Sequence, residues 1–388
     1  MNIILPQADG SLAPFTLSGA APFAAPVNKS WNRIAYSAAH LTINPLAGND
    51  PWITTAVDWE TTLAFRHRLW SLGLGVAEAM DTAQRGMGVD WATSLELIQR
   101  ASAEARAFGP GALIASGAGT DHLDLSREHT IDEIIAAYEM QCEAVEAAGS
   151  RVILMASRAL NRAAKTPEDY ARVYGRVLSG LRQPAILHWL GEMFDPALEG
   201  YWGGADHWQS MEHCLAMMRD NAAKIEGIKV SLLSEEKEVA MRRQLPEGVS
   251  MYTGDDFNYP SLIQGDGSHS SHALLGIFDP IAPAAAAALE KLTNGDAEGF
   301  RAIMDPTVPL SRLMFAAPTR FYKTGVVFLA WLNGNQKHFT MAGGQESARS
   351  TLHLAELFRL ADAAGLLEKP ELALARMKAL MLTRGVEA

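Results

Sequence analysis

The sequence predicts an α/β protein: a (β/α)8 TIM barrel preceded by an N-terminal β-hairpin and followed by a C-terminal helical extension. Three observations carry this expectation. From residue 31 to 293, short apolar runs alternate with longer amphipathic stretches, the pattern of parallel strands joined by helices. The apolar runs number eight, which is the count that closes a barrel. The sixth run, Ile225–Glu226–Gly227–Ile228–Lys229–Val230–Ser231, carries one lysine toward its far end, and barrels place their chemistry at the C-terminal ends of strands.

The elements follow in order. Asn2 to Leu5 and Ala13 to Leu17 flank Ala8, Asp9, Gly10 and Ser11, a hairpin signal that makes residues 1–30 an accessory extension. The candidate barrel strands are Ile34–Ala39, Gly75–Met80, Ala112–Gly117, Arg151–Ala156, Ala185–Trp189, Gly227–Ser231, Val249–Thr253 and Ser268–His272. Helical patterns between them cover Glu60–Leu72, Trp91–Ala107, Ile131–Ala148, Pro167–Leu181, His207–Ala223, Ser234–Gln244 and Phe257–Ile263. Thr130 with Glu133 is a capping-box start, and Thr166 before Pro167 places proline in a first turn. Beyond the barrel, residues 294–388 read as almost entirely helical, through Ala297–Met304, Leu310–Phe315, Thr319–Leu332, Glu346–Ala364 and Pro370–Leu382, after a last barrel helix near Pro283–Leu292. This region is expected to cap the barrel or to build a subunit interface of a homo-oligomer, a dimer or tetramer.

Composition removes several classes of function. The 388 residues are 48% hydrophobic and 20% charged, enough for a sizeable core. A net charge of −11 offers no basic footprint for a phosphate backbone, so no nucleic-acid partner is expected. No apolar run approaches a membrane span, so no membrane partner is expected either. Met1 to Leu17 does not resemble a signal peptide. The only cysteines, Cys142 and Cys214, fall in helical segments, which fits a reducing, cytoplasmic setting.

At the strand ends, polar groups gather. They include Ser37 and His40, then Glu78, Asp81 and Thr82, then Asp121 and His122, Ser157 and Arg158, His188 and Glu192, Lys229 and Ser231, Asp255 and Asp256, and last His269 and His272. Lys229 stands out because a lysine inside a barrel mouth can attack a carbonyl as a Schiff-base nucleophile. That requires an unprotonated amine, reached by desolvation or a nearby cation. Its structural alternative is a strand-end lysine that is paired with an acid or exposed. One of Asp255 and Asp256 is expected to cap the following helix.

Gly227–Ile228–Lys229 resembles the Schiff-base lysine strand of the dihydrodipicolinate synthase and N-acetylneuraminate lyase superfamily, the class I aldolases of this fold. Tyr252–Thr253–Gly254–Asp255–Asp256 is similar to that family's Ser-Gly-Asp-Asp stretch, and Gly265–Asp266–Gly267–Ser268 with His269, Ser270 and Ser271 to its glycine-rich eighth-strand motif. Pro184–Ala185–Ile186–Leu187–His188 resembles its fifth strand, and Asn294–Gly295–Asp296–Ala297 the start of its C-terminal helices. The likeness covers residues 30 to 335, weakly in the first half and well from Pro184 to Leu332. It implies an imine on Lys229 with a keto substrate, a 2-oxo acid or keto sugar derivative. Retro-aldol cleavage, aldol addition or dehydration would follow, with no cofactor.

The departures from the family pattern bear on substrate. His188 stands where the family has a proton-relaying tyrosine, and histidine can do the same work near neutral pH. Met80–Asp81–Thr82–Ala83–Gln84 stands where the family offers Gly-Thr-Thr-Gly to a 2-oxo acid carboxylate, and Asp81 there would repel such a group. No arginine follows His188 in its loop. The lysine-biosynthesis reaction is therefore not expected, and a neutral, polyhydroxylated keto compound fits better. Catalysis is assigned to Lys229 and His188, and substrate binding to Glu78, Asp81, Thr82, Glu192, Asp255, Ser270 and Ser271.

Two other readings compete. His188, His269, His272 and Glu78 are ligand types that hold Zn²⁺ or Mn²⁺ in barrel-borne sugar isomerases and metal-dependent aldolases. No compact metal motif supports them, and His207 and His213 lack the i, i+4 spacing of a helical ligand pair. The second is a barrel that has lost its chemistry and persists as a binding protein. A lysine on the sixth strand beside a histidine on the fifth has little structural purpose in such a protein.

Overall fold

Alternation of side chains along short strands decides which residues face the inside of this molecule. The computed structural model describes residues 1–19 and 23–387. Strands β1 (Asn2–Pro6) and β2 (Leu12–Thr16) form the antiparallel hairpin. Strands β3 (Ala35–Ala38), β4 (Gly75–Glu78), β5 (Ile114–Ala118), β6 (Arg151–Met155), β7 (Ala185–Leu190), β8 (Ile225–Ser231), β9 (Ser250–Thr253) and β10 (His272–Leu275) form a closed barrel. Each pairs in parallel with the next, and β10 closes onto β3 with Ala273 opposite Ala35.

Helices α1 (Trp59–Ser71), α2 (Trp91–Phe108), α3 (Ile131–Ala147), α4 (Arg158–Ala163), α5 (Pro167–Gly180), α6 (His207–Asp220), α7 (Glu235–Arg242) and α8 (Tyr259–Gln264) lie between the strands. Thr130 caps α3 with the reciprocal Glu133 contact that the sequence signals. The Asp169 carboxylate accepts from the backbone N–H groups of Lys165 and Thr166 at the start of α5. Helix α4 has no counterpart in the sequence reading. It is short, and its cap is Ser157, whose hydroxyl accepts from the Leu160 N–H.

The eighth barrel strand is the main correction. It was expected at Ser268–His272 and runs instead over His272–Leu275. The preceding stretch is a turn: Gly265 and Gly267 take positive φ, and the Asp266 carboxylate accepts from the N–H groups of Ser268 and His269. The glycine-rich motif therefore leads into the strand at the N-terminal end of the barrel.

Inside, the barrel tapers in side-chain size. At the N-terminal end the large rings of Tyr36 and Tyr252 fill the interior, with centroids 6.1 Å apart. The Tyr252 hydroxyl donates to Glu226 at 2.8 Å, and Glu226 also pairs with Arg151. Gly227 permits this plug, because a Cβ there would lie 2.7 Å from the Tyr252 ring. Toward the C-terminal end the inward positions become small, as at Ala38 and Ala77, which leaves the mouth open.

The C-terminal helices α9 (Ala282–Thr293), α10 (Ala297–Met304), α11 (Val308–Met314), α12 (Tyr322–Leu332), α13 (Thr351–Ala363) and α14 (Pro370–Thr383) share one apolar cluster with the hairpin residues Ile3 and Leu5. Arg359 of α13 donates to the Pro6 carbonyl, and Phe358 meets Phe15 edge-on at 6.2 Å. The expected helix over Glu346–Ala364 starts later, at Thr351, where the Ser350 hydroxyl caps it. Among the described residues no helix is long and apolar enough to cross a membrane.

Glu78 illustrates how alternation assigns roles. Ala77 faces inward, so Glu78 points outward and pairs with Arg66 of α1 through bonds of 2.8 and 2.9 Å, both side chains fully buried. Removing one partner of such a pair leaves an uncompensated buried charge at a cost of about 3–5 kcal/mol. Glu78→Ala is expected to lower unfolding stability by that order in chemical denaturation, and an unchanged midpoint would contradict the structural role.

Candidate active site

Strand β8 brings Lys229 to the mouth because Gly227 and Lys229 share the inward face. Across the sheet Lys229 lies beside His188 of β7 and Tyr252 of β9. Only 8% of Lys229 is exposed, and among the described residues no hydrogen bond or ion pair within 4.0 Å holds its amine. Burial pulls its pKa down, while the carboxylates of Asp256 and Asp81 pull it up. Gly254 keeps the space clear, since a Cβ there would stand 2.7 Å from the Lys229 Cε and 2.2 Å from the Ser231 Oγ.

His188 is buried, and its Nε2 lies 3.2 Å from the Ser231 Oγ. Burial, and then the charge of Lys229, hold its pKa well below the usual range, so the ring is a neutral imidazole. Among the acids, Asp256 exerts the largest pull on the Lys229 amine. Its Oδ1 accepts from the Ile277 N–H at 2.9 Å, yet burial raises its carboxyl to about 7.

Asp81 and Thr82 come from a single turn of 3-10 helix after β4. Ala79 and Gln84, both in the left-handed region with φ of 51° and 64°, bracket that turn, an arrangement that costs conformational energy and recurs at functional sites. The Thr82 hydroxyl lies 2.7 Å from the hydroxyl of Tyr322 at the start of α12. The Tyr322 ring stacks on Phe315 with centroids 4.3 Å apart.

Three adjoining chambers open from this point, all sharing Asp81 and Leu190 as walls. The innermost, about 10 Å³, holds Lys229, His188, Ser231, Asp256 and Tyr322. An outer chamber of about 340 Å³ is walled by Arg85, Arg158, Arg320 and Lys323. A side chamber of about 220 Å³ runs past Thr120, Ser157 and His188. The space is of a size and polarity to accept a small polar molecule.

Of the residues singled out from sequence, Lys229, His188, Asp81 and Thr82 converge here. Five others do not. Glu78 lies behind the sheet with Arg66. Glu192 turns to His207 at 3.0 Å and lines none of the three chambers. Asp255 is occupied as a turn former, accepting from the N–H groups of Phe257 and Asn258 and from the Asn258 amide, so its neighbour Asp256 is the acid at the amine. Ser270 lies with His269 at the far end of the barrel. Ser271 is buried between Arg242 and Glu238.

The alternative metal ligands are likewise scattered. His272 accepts from the Ile34 N–H at the N-terminal end of the barrel, away from the chamber that His188 lines, and Glu78 faces outward. Among the described residues no group of three or more His, Cys, Asp or Glu side chains is placed to hold a metal ion.

Sequence reasoning missed Tyr322 and Lys323. They lie in a helix beyond the barrel, and nothing local marks them. Asp256 and Ser231 were legible as strand-end residues, and Ser231 shares the inward face of Lys229 two positions away.

A family model described as "Protein of unknown function (DUF993)" matches residues 3–386. No curated protein matches the chain. Many solved structures share its fold. One is the dihydrodipicolinate synthase of Aquifex aeolicus, 12% identical with a TM-score of 0.64, covering 87% of this chain and 99% of that one. Another is the chloride-inhibited dihydrodipicolinate synthase of Acinetobacter baumannii complexed with pyruvate, 13% identical with a TM-score of 0.64, covering 86% and 99%. A third is the 4-hydroxy-tetrahydrodipicolinate synthase of Methylacidiphilum fumariolicum SolV, 14% identical with a TM-score of 0.63, covering 90% and 99%. The resemblance seen in the sequence is thus borne out in the fold.

The protonation of Asp256 has a sign that can be measured. Its carboxyl titrates near 7 in the folded chain and near 3.8 as a free side chain. Between those values the native state keeps a proton that the unfolded chain has released, so this group's contribution to stability falls as pH rises. Asp256→Asn, neutral throughout, is expected to gain thermal stability over the parent at pH 8 and much less at pH 5. Parallel melting temperatures across that range would show that the buried carboxyl does not titrate there.

Proposed function

We propose that this chain, which belongs to the DUF993 family, is a lyase that captures a keto substrate as an imine on Lys229. The observation that carries the reading is a nearly buried amine, with no partner within bonding distance among the described residues, at the mouth of a barrel with the dihydrodipicolinate synthase fold. Burying an unpaired amine is unfavourable. Its retention beside a neutral histidine and a protonatable acid argues for use in chemistry over a purely binding role.

The steps follow from the groups present. Neutral Lys229 adds to the carbonyl carbon, and the oxygen takes a proton to give a carbinolamine. Loss of that oxygen as water forms the C=N bond, and the protonated imine then accepts the electron pair of a bond one carbon away. If that bond is C–C, an aldehyde departs and an enamine remains. If a proton leaves instead, a β-hydroxyl can depart as water. Protonation at carbon and hydrolysis return the amine.

His188, held neutral, is suited to take the proton released at the adjacent carbon or hydroxyl. Asp256, with a carboxyl near 7, is suited to exchange a proton with Lys229 as the amine alternates between nucleophile and cation. Asp81 and the Thr82–Tyr322 hydroxyl pair offer hydrogen bonds to substrate hydroxyls.

Borohydride reduction in the presence of small ketones is expected to leave a stable adduct on the peptide that contains Lys229, read by mass spectrometry, and Lys229→Ala is expected to abolish it. His188→Gln should still trap the ketone while slowing turnover by about 10²–10⁴-fold, the usual contribution of a positioned acid–base group. An adduct that persists in Lys229→Ala, or none with any ketone, would defeat the reading.

A further inference from the structure

The outer chamber departs from the charge of the chain as a whole. The protein carries a net −11, yet this chamber is walled by four cations, Arg85, Arg158, Arg320 and Lys323, against two carboxylates, Asp81 and Asp195. Two of the cations are already satisfied. Arg85 makes a two-pronged pair with Asp121 at 2.6 and 2.9 Å and also reaches Gln141. Arg158 pairs with Asp195.

Lys323 is different. Only 3% of it is exposed, and its Nζ donates to the Arg320 carbonyl at 3.0 Å, touches the Met87 Sδ at 3.3 Å and stands 5.0 Å from the Tyr322 ring centroid. Among the described residues no carboxylate lies within 4.0 Å of it. A carbonyl, a thioether and a ring face are weak compensation for a buried ammonium. Arg320, also on this wall, is exposed, rests over Phe321 and has no carboxylate partner among the described residues. The two unsatisfied cations therefore stand together.

Their position relative to Lys229 is set by chain adjacency. Tyr322, next to Lys323, walls both the inner and the outer chamber, as does Asp81. A ligand reaching from Lys229 into the outer chamber passes the shared walls Asp81 and Tyr322 and enters the space that Lys323 and Arg320 line. An acidic group directly beside the reacting carbonyl would meet the Asp81 carboxylate, whereas one at the far end would meet the two free cations.

We infer that the substrate is a keto compound with an acidic group, a carboxylate or phosphate, at the end remote from its carbonyl, and that Lys323 and Arg320 bind this group. The inference rests on the imine-forming role of Lys229 given above, and it replaces the neutral substrate expected from sequence. A 2-oxo acid such as pyruvate, whose carboxylate adjoins the ketone, is a poor fit.

The test compares matched ketones by borohydride trapping: dihydroxyacetone phosphate against dihydroxyacetone, and levulinate against its methyl ester. In the parent protein at least one charged member is expected to reach half-maximal trapping at a concentration about tenfold or more below its neutral counterpart, the effect of a charge-assisted contact. Which pair shows the preference separates phosphate from carboxylate. In Lys323→Met, similar in length and folded by circular dichroism, the charged-to-neutral preference is expected to collapse to about unity. Equal trapping of charged and neutral members in the parent, or a preference that survives Lys323→Met, would overturn the inference. Should no ketone be trapped at all, the Schiff-base reading fails by itself. Calorimetry with inorganic phosphate and with acetate then decides the anion site: heat of binding in the parent that is lost in Lys323→Met supports it, and no binding of either refutes it.

Discussion

Desolvation of one amine is the constraint around which the rest of this molecule is arranged. Lys229 lies almost wholly out of water, and among the described residues no acid pairs with it within 4.0 Å. That is an unfavourable place for an ammonium ion, so burial lowers proton affinity at the amine, while the burial of Asp256 raises it at that carboxyl. The interior supports this by its taper. Tyrosine rings fill the N-terminal end of the barrel, while alanine and glycine positions at the other end leave the lysine room to meet a ligand.

The additions at both ends of the chain serve the same mouth. The hairpin packs on α13 through Phe15 and Arg359. Helix α13 in turn packs on α12, where a Cβ at Gly325 would stand 3.1 Å from Leu357. Helix α12 then presents Tyr322 and Lys323 to the chambers. The Thr82–Tyr322 hydroxyl contact joins that helix to the loop after the second barrel strand. Residues that touch the cavity thus depend on packing far outside the barrel, which gives the C-terminal helices a part in shaping the site.

The barrel was legible because its signals are local. Eight apolar runs, glycine turns and side-chain caps such as Thr130 each speak for themselves within a few residues, and seven of the eight strands fall where the pattern puts them. The eighth was misplaced because Gly265–Asp266–Gly267–Ser268 reads equally as a strand start or as the turn before one. At the site, Lys229 and His188 were legible from their strands. Glu78 was not, since a four-residue strand leaves its inward face ambiguous until a partner such as Arg66 is known. Asp255 and Asp256 were interchangeable on paper. Only the turn that engages Asp255 assigns the cavity to its neighbour. Tyr322 and Lys323 are long-range contributions, and no short-range pattern encodes them.

Two buried lysines line adjoining chambers that share walls, and their surroundings separate their roles. Burial lowers proton affinity at both, but Lys323 is held by a carbonyl, a sulfur and an aromatic face that partly offset this, so it suits electrostatic attraction. Among the described residues Lys229 has no such contacts, and beside it lie a neutral imidazole on the adjoining strand and the Ser231 hydroxyl two positions along its own strand, which suits the nucleophilic role proposed for it. Asp81 stands on the wall common to both chambers and lends charge to each lysine. A carboxylate in that place penalises a ligand that enters with its acidic end toward Lys229, because the acid would pass two cations to reach an anion. The cavity is therefore polar along its length. For the substrate proposed above, that polarity presents the carbonyl end, and not the acidic end, to the amine before any bond is made.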